Sequence, residues 1–396
     1  MIIQREIKKH LQELSRQFPV VAVMGPRQSG KTTLVKDTFP DYAYVTMEDL
    51  DIRGAAKDDP RGFFDTYTNY SGVIIDEIQE APELLSYMQG IVDKTYRPGF
   101  FIITGSQHFL MYEKITQTLA GRIALLTLLP LSVSELDAAG MRPDSLGALL
   151  LKGFYPRLYA QPIPVQTWYS NYISTYVEKD VRQTLKITDI ISFQRFLKLC
   201  AARTGTMLSH AALARDADIS PNTAKAWISI LEASFIIKLL PPYYKNFNKR
   251  IVKSPKLYFY DSALVCSLLG IRTAEEISIH PLRGALVESF VISELFKYSY
   301  NHNEQPHIYF WRDAQGHEID AIIEKSFDQT VPIEIKAGMT VNADFFKGLR
   351  DWQKITQQAD NPAYIVYGGS ENHVRQHGKV YAWHAIATML KEIYIR

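Results

Sequence analysis

The sequence predicts an α/β protein in three parts: an N-terminal parallel sheet covered by helices, a helical middle region, and a C-terminal α/β region. The first prediction rests on short apolar runs that alternate with helical stretches, which is the βαβ rhythm of a parallel sheet. Five runs are predicted to be strands buried on both faces: Val20–Met24, Tyr42–Thr46, Val73–Asp76, Phe100–Thr104 and Ile123–Leu128. Helices are predicted between them at Pro82–Asp93 and Gln107–Ala120.

Length and composition indicate a globular protein of more than one domain. The chain has 396 residues, and we expect domains at residues 1–140, 141–275 and 276–396. The 44 basic and 42 acidic side chains nearly cancel, so a nucleic-acid surface has to be a local patch. Two cysteines exclude a disulfide scaffold. The N-terminus predicts an amphipathic helix, not a signal peptide, and no apolar run could span a bilayer, so we expect a cytoplasmic protein without membrane contact.

A glycine-rich loop, GPRQSGKT, follows the first predicted strand and matches the pattern G-x-x-x-x-G-K-[ST]. In such a loop backbone N–H groups surround the phosphates, the lysine reaches the β- and γ-phosphates, and the final hydroxyl coordinates Mg²⁺. The helix that follows adds the positive end of its dipole. We therefore predict a nucleotide and Mg²⁺ site formed by Gly25, Pro26, Arg27, Gln28, Ser29, Gly30, Lys31, Thr32 and Thr33.

Polar residues follow the next two buried strands, at the sheet edge where open α/β sheets bind ligands. Asp76 suits holding Mg²⁺, and Glu77 suits polarising the attacking water. Thr104 and Ser106 are predicted to lie beside the γ-phosphate position. Ser106 is either the polar sensor of that phosphate or the cap of the helix that begins at Gln107.

Arg122 follows that helix and precedes a strand. In one interpretation it stabilises the transferring phosphate in a neighbouring subunit, which requires a homo-oligomer. The alternative is an ordinary surface arginine in a salt bridge.

The middle region contains a helix-turn-helix pattern between Ser209 and Ser234. Ser220 and Pro221 are predicted to cap and begin its second helix. Spacing of three and four residues predicts a buried stripe of Ala224, Trp227, Ile228 and Leu231. Small and polar side chains face outward, as a recognition helix requires.

A basic stretch follows the second helix, with six basic and no acidic residues among seven aromatics between Ala233 and Tyr260. A β-hairpin wing here would carry the basic side chains along a DNA backbone. The alternatives are a protein partner or lid module, with the aromatics packed in a core. The basic residues are Lys238, Lys245, Lys249, Arg250, Lys253 and Lys256, and the predicted DNA contacts are Asn222, Thr223, Lys225, Lys245, Lys249, Arg250 and Lys253.

The C-terminal region combines a helix with three strands. The helix Leu286–Phe296 is apolar nearly all round, which makes Glu288 unexpected there. Strands are predicted at Ile308–Asp313, Glu318–Glu324 and Val331–Gly338.

Period-two alternation places Asp320 on one strand, and Glu334 with Lys336 on the next, on the faces opposite their isoleucines. Clustered carboxylates repel one another unless a hard divalent cation binds between them. Together with Glu288 from the helix, they predict a metal site in which the lysine assists catalysis. The alternative is an exposed strand face with an ordinary Glu–Lys pair.

These segments together resemble one prokaryotic family of compact AAA-type ATPases: GPRQSGKT, VIIDE, TGS and LAGR, then KSPKLYFYDSAL, RGALVESF, EIDAII and PIEIKAG. The resemblance covers essentially the whole chain and implies ATP as the nucleotide, a winged-helix segment, and a C-terminal domain similar to the PD-(D/E)XK nuclease superfamily. By this resemblance Asp320 and Glu334 would bind metal, Ile335 would add a backbone carbonyl, Lys336 would assist the nucleophile, and Glu288 would be the helix acid. Arg157 is the candidate for a second arginine sensor.

The sequence therefore predicts a protein that binds and hydrolyses ATP with Mg²⁺ and acts on DNA, with a metal-dependent nuclease site at its C-terminal end. The alternative is a nucleotide-gated oligomeric switch, or a DNA- or protein-binding module, whose nuclease-like domain does not cut. A third interpretation is protein remodelling, in which the basic stretch docks a protein.

Overall fold

The computed structural model describes residues 2–106, 117–177, 190–243, 253–326, 329–356 and 362–395. Its strands are β1 (Val20–Met24), β2 (Ala43–Thr46), β3 (Val73–Asp76), β4 (Phe101–Gly105), β5 (Ile123–Thr127), β6 (Thr206–Met207), β7 (Ile237–Leu240), β8 (Lys256–Phe259), β9 (Ile308–Arg312), β10 (Glu318–Ser326), β11 (Gln329–Lys336), β12 (Tyr364–Tyr367), β13 (His373–Arg375) and β14 (Gly378–Ala382).

The helices of the described residues are numbered in the same way. They are α1 (Lys8–Ser15), α2 (Lys31–Thr38), α3 (Leu50–Asp58), α4 (Pro60–Asp65), α5 (Leu84–Lys94), α6 (Val133–Ala138), α7 (Leu146–Lys152), α8 (Arg157–Ala160), α9 (Val165–Tyr172), α10 (Ile190–Ala202), α11 (His210–Ala217), α12 (Pro221–Ala233), α13 (Ser262–Leu269), α14 (Ala274–Ile279), α15 (Arg283–Asn301), α16 (Lys347–Thr356) and α17 (Ile386–Ile395). In this part of the chain no helix has both the length and the apolar character needed to cross a membrane.

The N-terminal sheet is parallel, with strand order β2-β3-β4-β1-β5. The five predicted strands are confirmed, β1 and β3 to the residue and the others within one residue at each end. Alternate residues of β1 enter different cores, since Val20 packs with the α5 side and Val21 with α1 and α2. Burial on both faces explains why these strands are apolar throughout. The predicted helix at Gln107–Ala120 lies mostly outside the described residues.

The middle region contains two consecutive helices, α11 and α12, followed by antiparallel strands. Asp218 ends α11 in a left-handed conformation, and the Ser220 side chain accepts a hydrogen bond from the Thr223 N–H to cap α12. Pro221 is the first residue of α12, and the predicted apolar stripe is buried. Strand β8 lies between β6 and β7 in a small antiparallel sheet.

The C-terminal sheet has the strand order β13-β14-β12-β11-β10-β9. Its strands β9, β10 and β11 are antiparallel, whereas β11, β12 and β14 run parallel. Ala321 pairs with Ile333, so Asp320 and Glu334 come to adjacent positions of neighbouring strands. The helix α15 extends further than predicted at both ends and packs against β8 and β11.

Buried charges connect segments that are far apart in the sequence. Arg5 donates to Glu135 at 2.9 Å, and both side chains are almost completely buried. Glu294 of α15 accepts from the Val133 N–H at 2.9 Å and pairs with Lys297 at 2.8 Å. The Lys297 side chain is fully buried. A buried charge is tolerated only with such partners, and the hydrogen bond from Val133 to Glu294 joins the N-terminal region to α15.

We expect Lys297→Met to lower the free energy of unfolding by about 3–5 kcal/mol, because a buried carboxylate then loses its counter-charge. Burial raises the pKa of Glu294, so protonation is favoured in the folded state. A group whose folded pKa is raised stabilises below its unfolded pKa, and this contribution is lost as pH rises through the folded pKa. The free energy of unfolding that is lost in Lys297→Met, measured with urea, is therefore expected to be larger at pH 8, where Glu294 is ionised without its counter-charge, than at pH 5.

Lys9→Met is the matched control for this experiment, because the Lys9 side chain is 79% exposed and pairs with Glu13 on the same helix. It is expected to change the free energy of unfolding by less than about 0.5 kcal/mol. An equally small loss in Lys297→Met would contradict the role given to the buried pair.

Candidate functional site

The glycine-rich loop joins β1 to α2 and is held in place by close backbone packing. A Cβ atom at Gly25 would lie 2.1 Å from the Leu128 carbonyl oxygen, so only glycine fits there. Gly30 begins α2 in a left-handed conformation with φ of 93°. The Lys31 ammonium donates to the carbonyls of Gly25 and Pro26 at 3.1 and 2.9 Å. The loop therefore curls around the lysine, as a phosphate-binding loop requires.

A cleft of about 430 Å³ opens over this loop. It brings together residues from the N-terminus, the loop, the end of β3 and the start of α8. Its lining includes Arg157, the candidate second arginine sensor, which lies at the cleft on α8. The lining residues are Ile2, Ile3, Arg5, Arg27, Gln28, Gly30, Lys31, Thr32, Thr33, Leu34, Asp37, Glu48, Glu77, Leu131, Pro156, Arg157 and Ala160.

Asp76 is the centre of a hydrogen-bond network at the carboxyl end of β3. One carboxylate oxygen accepts from the hydroxyls of Thr32 and Tyr44, each at 2.8 Å. The other accepts from the Thr104 hydroxyl. Burial and the charge of Asp76 raise the pKa of Tyr44, which keeps it a hydrogen-bond donor. The pairing of Thr32 with Asp76 provides hard oxygen ligands of the kind that Mg²⁺ prefers.

Glu77 follows Asp76 with a left-handed backbone, at φ of 55°. A non-glycine residue in this conformation stores strain, which is often found at functional sites. Its N–H donates to the Thr104 hydroxyl at 3.4 Å, and its carboxylate accepts from the Gln79 amide. The side chain is thereby directed at the cleft, of which Glu77 is a lining residue.

Buried hydroxyls at this site have no hydrogen-bond partner among the described residues. They belong to Ser29 in the loop and Ser106 after β4. Such orphan groups cost free energy unless a ligand or water satisfies them. Together with Lys31 and the Thr32–Asp76 pair, they form a donor and acceptor set that fits a nucleotide with Mg²⁺. The residue after Ser106, where the alternative placed a helix start, lies outside the described residues.

Arg122 lies away from this cleft. Its guanidinium forms a two-pronged ion pair with Asp93 of α5, in which Nη2 lies 3.1 Å from Oδ2. The Nη1 atom of the same guanidinium donates to the Ala120 carbonyl at 3.0 Å. The side chain is one-third exposed, as it would be in the salt-bridge interpretation.

The C-terminal region brings three carboxylates together, one from α15 and two from β10. Ligand oxygens of Glu288, Glu318 and Asp320 all lie within 4.8 Å of one another, and we call these residues the carboxylate cluster. The predicted Glu288 and Asp320 belong to it. Glu318, two residues before Asp320 on the same face of β10, was not predicted, although period-two spacing could have found it.

Glu334 and Lys336 lie beside the cluster on β11. Lys336 contacts the Glu334 carboxylate directly and lies 3.8 Å from Asp320. The N–H of Ile335 donates to Asp320 at 2.7 Å. Burial and the charge of Asp320 raise the pKa of Glu334, although the Lys336 ammonium opposes this. The strands β10 and β11 thus bring Asp320, Glu334 and Lys336 close together, and Glu334 lies next to the three-carboxylate group instead of within it.

Two lysines of the basic stretch, Lys256 and Lys238, are paired with carboxylates. Lys256 is one of the six basic residues that a wing would carry, but its side chain is buried and its ammonium lies 2.9 Å from Glu288 and 2.5 Å from Glu318. Burial lowers the pKa of Lys256, but the charges of Glu288, Asp320 and Glu318 outweigh burial and raise it. Lys238 is also turned toward a carboxylate, that of Glu232 at 3.4 Å. Both lysines are therefore paired with carboxylates of the chain itself.

The predicted DNA contacts divide into two groups. On α12, Asn222 and Lys225 are exposed and Thr223 is half-buried; Lys253, before β8, is exposed. The other predicted contacts, Lys245, Lys249 and Arg250, lie outside the described residues.

Sequence reasoning missed several residues that shape these sites. Tyr44 and Gln79 hold Asp76 and Glu77, but neither is part of a recognised motif. Arg5 donates to the Ser29 carbonyl of the loop at 2.8 Å and to the Leu129 carbonyl at 2.7 Å. No local pattern signals a contact across more than a hundred residues.

Three protein families match consecutive segments of the chain. The family described as AAA domain matches residues 17–137. Two families described as domains of unknown function, DUF8612 and DUF4143, match residues 143–275 and 283–386. The N-terminal region is therefore an AAA-type P-loop domain.

Solved structures that are similar to this one include three proteins of low sequence identity. The Walker-type ATPase PABY2304 of Pyrococcus abyssi is 15% identical, with a TM-score of 0.48 over 67% of this chain and 96% of that one. AMPPCP-bound DnaA from Aquifex aeolicus is 14% identical, with a TM-score of 0.31 over 57% and 85%. The RuvB Holliday junction branch migration motor of Thermotoga maritima is 18% identical, with a TM-score of 0.28 over 59% and 89%.

Two curated relatives are similar over most of their length. They are the uncharacterized protein Rv2008c of Mycobacterium tuberculosis and the uncharacterized protein Mb2031c of Mycobacterium bovis. Each is 30% identical over 332 residues, which cover 82% of this chain and 72% of the relative. The chain, with its AAA-type P-loop domain, therefore belongs to the same protein family as these two mycobacterial proteins.

Proposed function

We propose that the protein is an ATPase that hydrolyses ATP with Mg²⁺ and acts on DNA. The observation that carries the ATPase proposal is the Thr32–Asp76 hydrogen bond of 2.8 Å directly beside the glycine-rich loop. Thr32 and Asp76 would hold Mg²⁺ through their side-chain oxygens, which are ligands of the kind that this ion prefers. Bound Mg²⁺ would neutralise negative charge that develops on the phosphates.

Each residue of the site has a separate task in this proposal. Lys31 leaves its loop carbonyls to contact the β- and γ-phosphates. Glu77, held by Gln79, polarises the attacking water, and Ser106 senses the γ-phosphate with its otherwise unpartnered hydroxyl. Arg157, which lines the cleft, adds positive charge.

We further propose that the protein works as a homo-oligomer. The support is the surface position of Arg122, away from its own cleft and one-third exposed. In an oligomer it would leave Asp93 and stabilise phosphate charge in the neighbouring subunit.

Lys31→Ala is expected to weaken ATP binding at least tenfold in calorimetry, because the loop loses the ammonium that would contact the β- and γ-phosphates. Glu77→Gln is expected to bind ATP normally but to turn over about 100-fold more slowly, since the amide cannot polarise water. Glu80→Gln is the matched control: Glu80 lies three residues further on and pairs with Arg53 at 3.0 Å. Its turnover should stay within about twofold of wild type. Normal ATP affinity in Lys31→Ala would refute the proposal.

The DNA proposal rests on α12. Its buried stripe packs into the middle region, which leaves Asn222 and Lys225 exposed at the start of the helix. The antiparallel strands β7 and β8 follow, as in a winged-helix arrangement. A short polar helix end with a basic residue suits a DNA groove and its phosphates.

Lys225→Ala is expected to weaken DNA binding on every sequence and to reduce the salt dependence of the affinity by about one ion, because one phosphate contact is lost. Fluorescence anisotropy at a series of salt concentrations measures both effects. Lys9→Ala, which removes an exposed lysine on α1, should leave the slope unchanged. A wild-type affinity without salt dependence would favour a protein partner instead of DNA.

A second candidate activity is metal-dependent DNA cleavage at the C-terminal region. The observation that favours it is the carboxylate cluster, with Lys336 within 3.8 Å of Asp320. Carboxylate oxygens at this spacing suit a divalent cation, and a neighbouring lysine suits the charge that develops on phosphate. If the cluster does not cut, the nucleotide-gated switch becomes the better account of the C-terminal region.

Asp320→Asn is expected to abolish cleavage of linear, nicked and supercoiled DNA in Mg²⁺ or Mn²⁺, with or without ATP, because the cluster loses a charged ligand. Glu324→Gln, further along β10 and outside the cluster, should cleave like the wild type. Product that persists in Asp320→Asn, or no product from wild type while ATP turnover is intact, would exclude this site as the nuclease.

A further inference from the structure

Lys256 has an unusual position for a residue of the middle region. It begins β8, but its side chain is only 4% exposed and reaches into the C-terminal region. There its ammonium contacts two members of the carboxylate cluster, Glu288 on α15 and Glu318 on β10. The ammonium therefore lies between the helix and the strand that form the candidate metal site.

The strand holds this side chain in place from several directions. Tyr258, two residues along β8 on the same face, donates its hydroxyl to the same Glu288 oxygen at 2.5 Å. The backbone at Lys256 is held as well, because β8 pairs with β6 along one edge and with β7 along the other. The contact is thus built by a strand within a sheet, not by a flexible surface side chain.

Two lysines divide the acidic groups between them. Lys256 contacts Glu288 and Glu318, whereas Lys336 contacts Glu334 and approaches Asp320. Arg312 adds a third cation, 3.2 Å from Glu318. The acidic charge is thereby largely balanced by side chains of the chain itself.

We propose that the Lys256 ammonium is a built-in cation that fills the carboxylate cluster, and that a divalent cation enters only when Lys256 withdraws. An ammonium and a divalent ion at the same oxygens repel one another at contact distance, so the presence of one weakens the binding of the other. This inference rests on the second candidate activity above, since it concerns the regulation of that site.

The test compares Mn²⁺ binding to the full-length wild type, Lys256→Met and Lys256→Met/Asp320→Asn, by calorimetry without nucleotide. Lys256→Met is expected to bind Mn²⁺ at least tenfold more tightly than wild type, and the double variant should lose this gain. A parallel measurement follows Tm with and without Mn²⁺ at constant ionic strength. Mn²⁺ should restore part of the Tm lost in Lys256→Met, because it replaces the missing positive charge.

Lys297→Met is the matched control for the Tm measurement. It also removes a buried lysine, but one that contacts the single carboxylate of Glu294. Mn²⁺ should raise its Tm no more than it raises that of wild type. If Lys256→Met does not fold, Lys256→Gln carries the same test, because it removes the charge and keeps a hydrogen-bond donor.

Two results would overturn the inference, and they are distinguishable. If wild type binds Mn²⁺ in an Asp320-dependent manner and Lys256→Met binds it no more tightly, Lys256 does not exclude the cation and the candidate nuclease site survives. If no variant binds Mn²⁺ in an Asp320-dependent manner, the metal site itself fails, and the proposed cleavage activity fails with it.

Discussion

Carboxylates that lose water on folding must find donors, and the arrangement of this chain depends on that constraint. Glu135 accepts from Arg5 and Glu294 accepts from Lys297 and the Val133 N–H, which joins the N-terminal region to α15. Asp261 accepts from the Phe154 N–H and from Tyr169. In each case the acid is buried and at least one of its partners lies on a segment far away in the sequence. Correct docking is therefore the condition under which these charges are stable in the interior.

The nucleotide cleft and the carboxylate cluster are linked through one strand. Lys256, at the start of β8, contacts the cluster. Asp261, just beyond the end of β8, caps α13 and holds Phe154, which lies three residues before Arg157 at the cleft. The segment that carries the sequence KSPKLYFYD thus contacts the carboxylate cluster directly and, through Phe154, holds the chain that leads to Arg157 at the cleft.

The nucleotide site combines a strained backbone with unsatisfied groups. Glu77 has a left-handed conformation, and the Ser29 and Ser106 hydroxyls have no partner in the part of the chain that is described. Networks within the protein hold the acids: Tyr44 and Thr104 bind Asp76. Hydrogen bonds hold the acids in place, whereas the two serine hydroxyls are left to donate to a ligand. The site is therefore preorganised for a ligand rich in acceptors.

The sequence alone determined the strands of the N-terminal sheet, the glycine-rich loop, and the pairing of Asp320 with Glu334, because local periodicity and motif spacing carry that information. It did not determine where Lys256 or Arg5 would lie. Both are charged residues in polar stretches, and nothing near them in sequence distinguishes a solvated side chain from a buried one. Only the tertiary structure placed them against acids, since the partners Glu288 and Glu135 are brought close by folding. The energy of burying a charge is a property of that long-range contact, not of the local pattern.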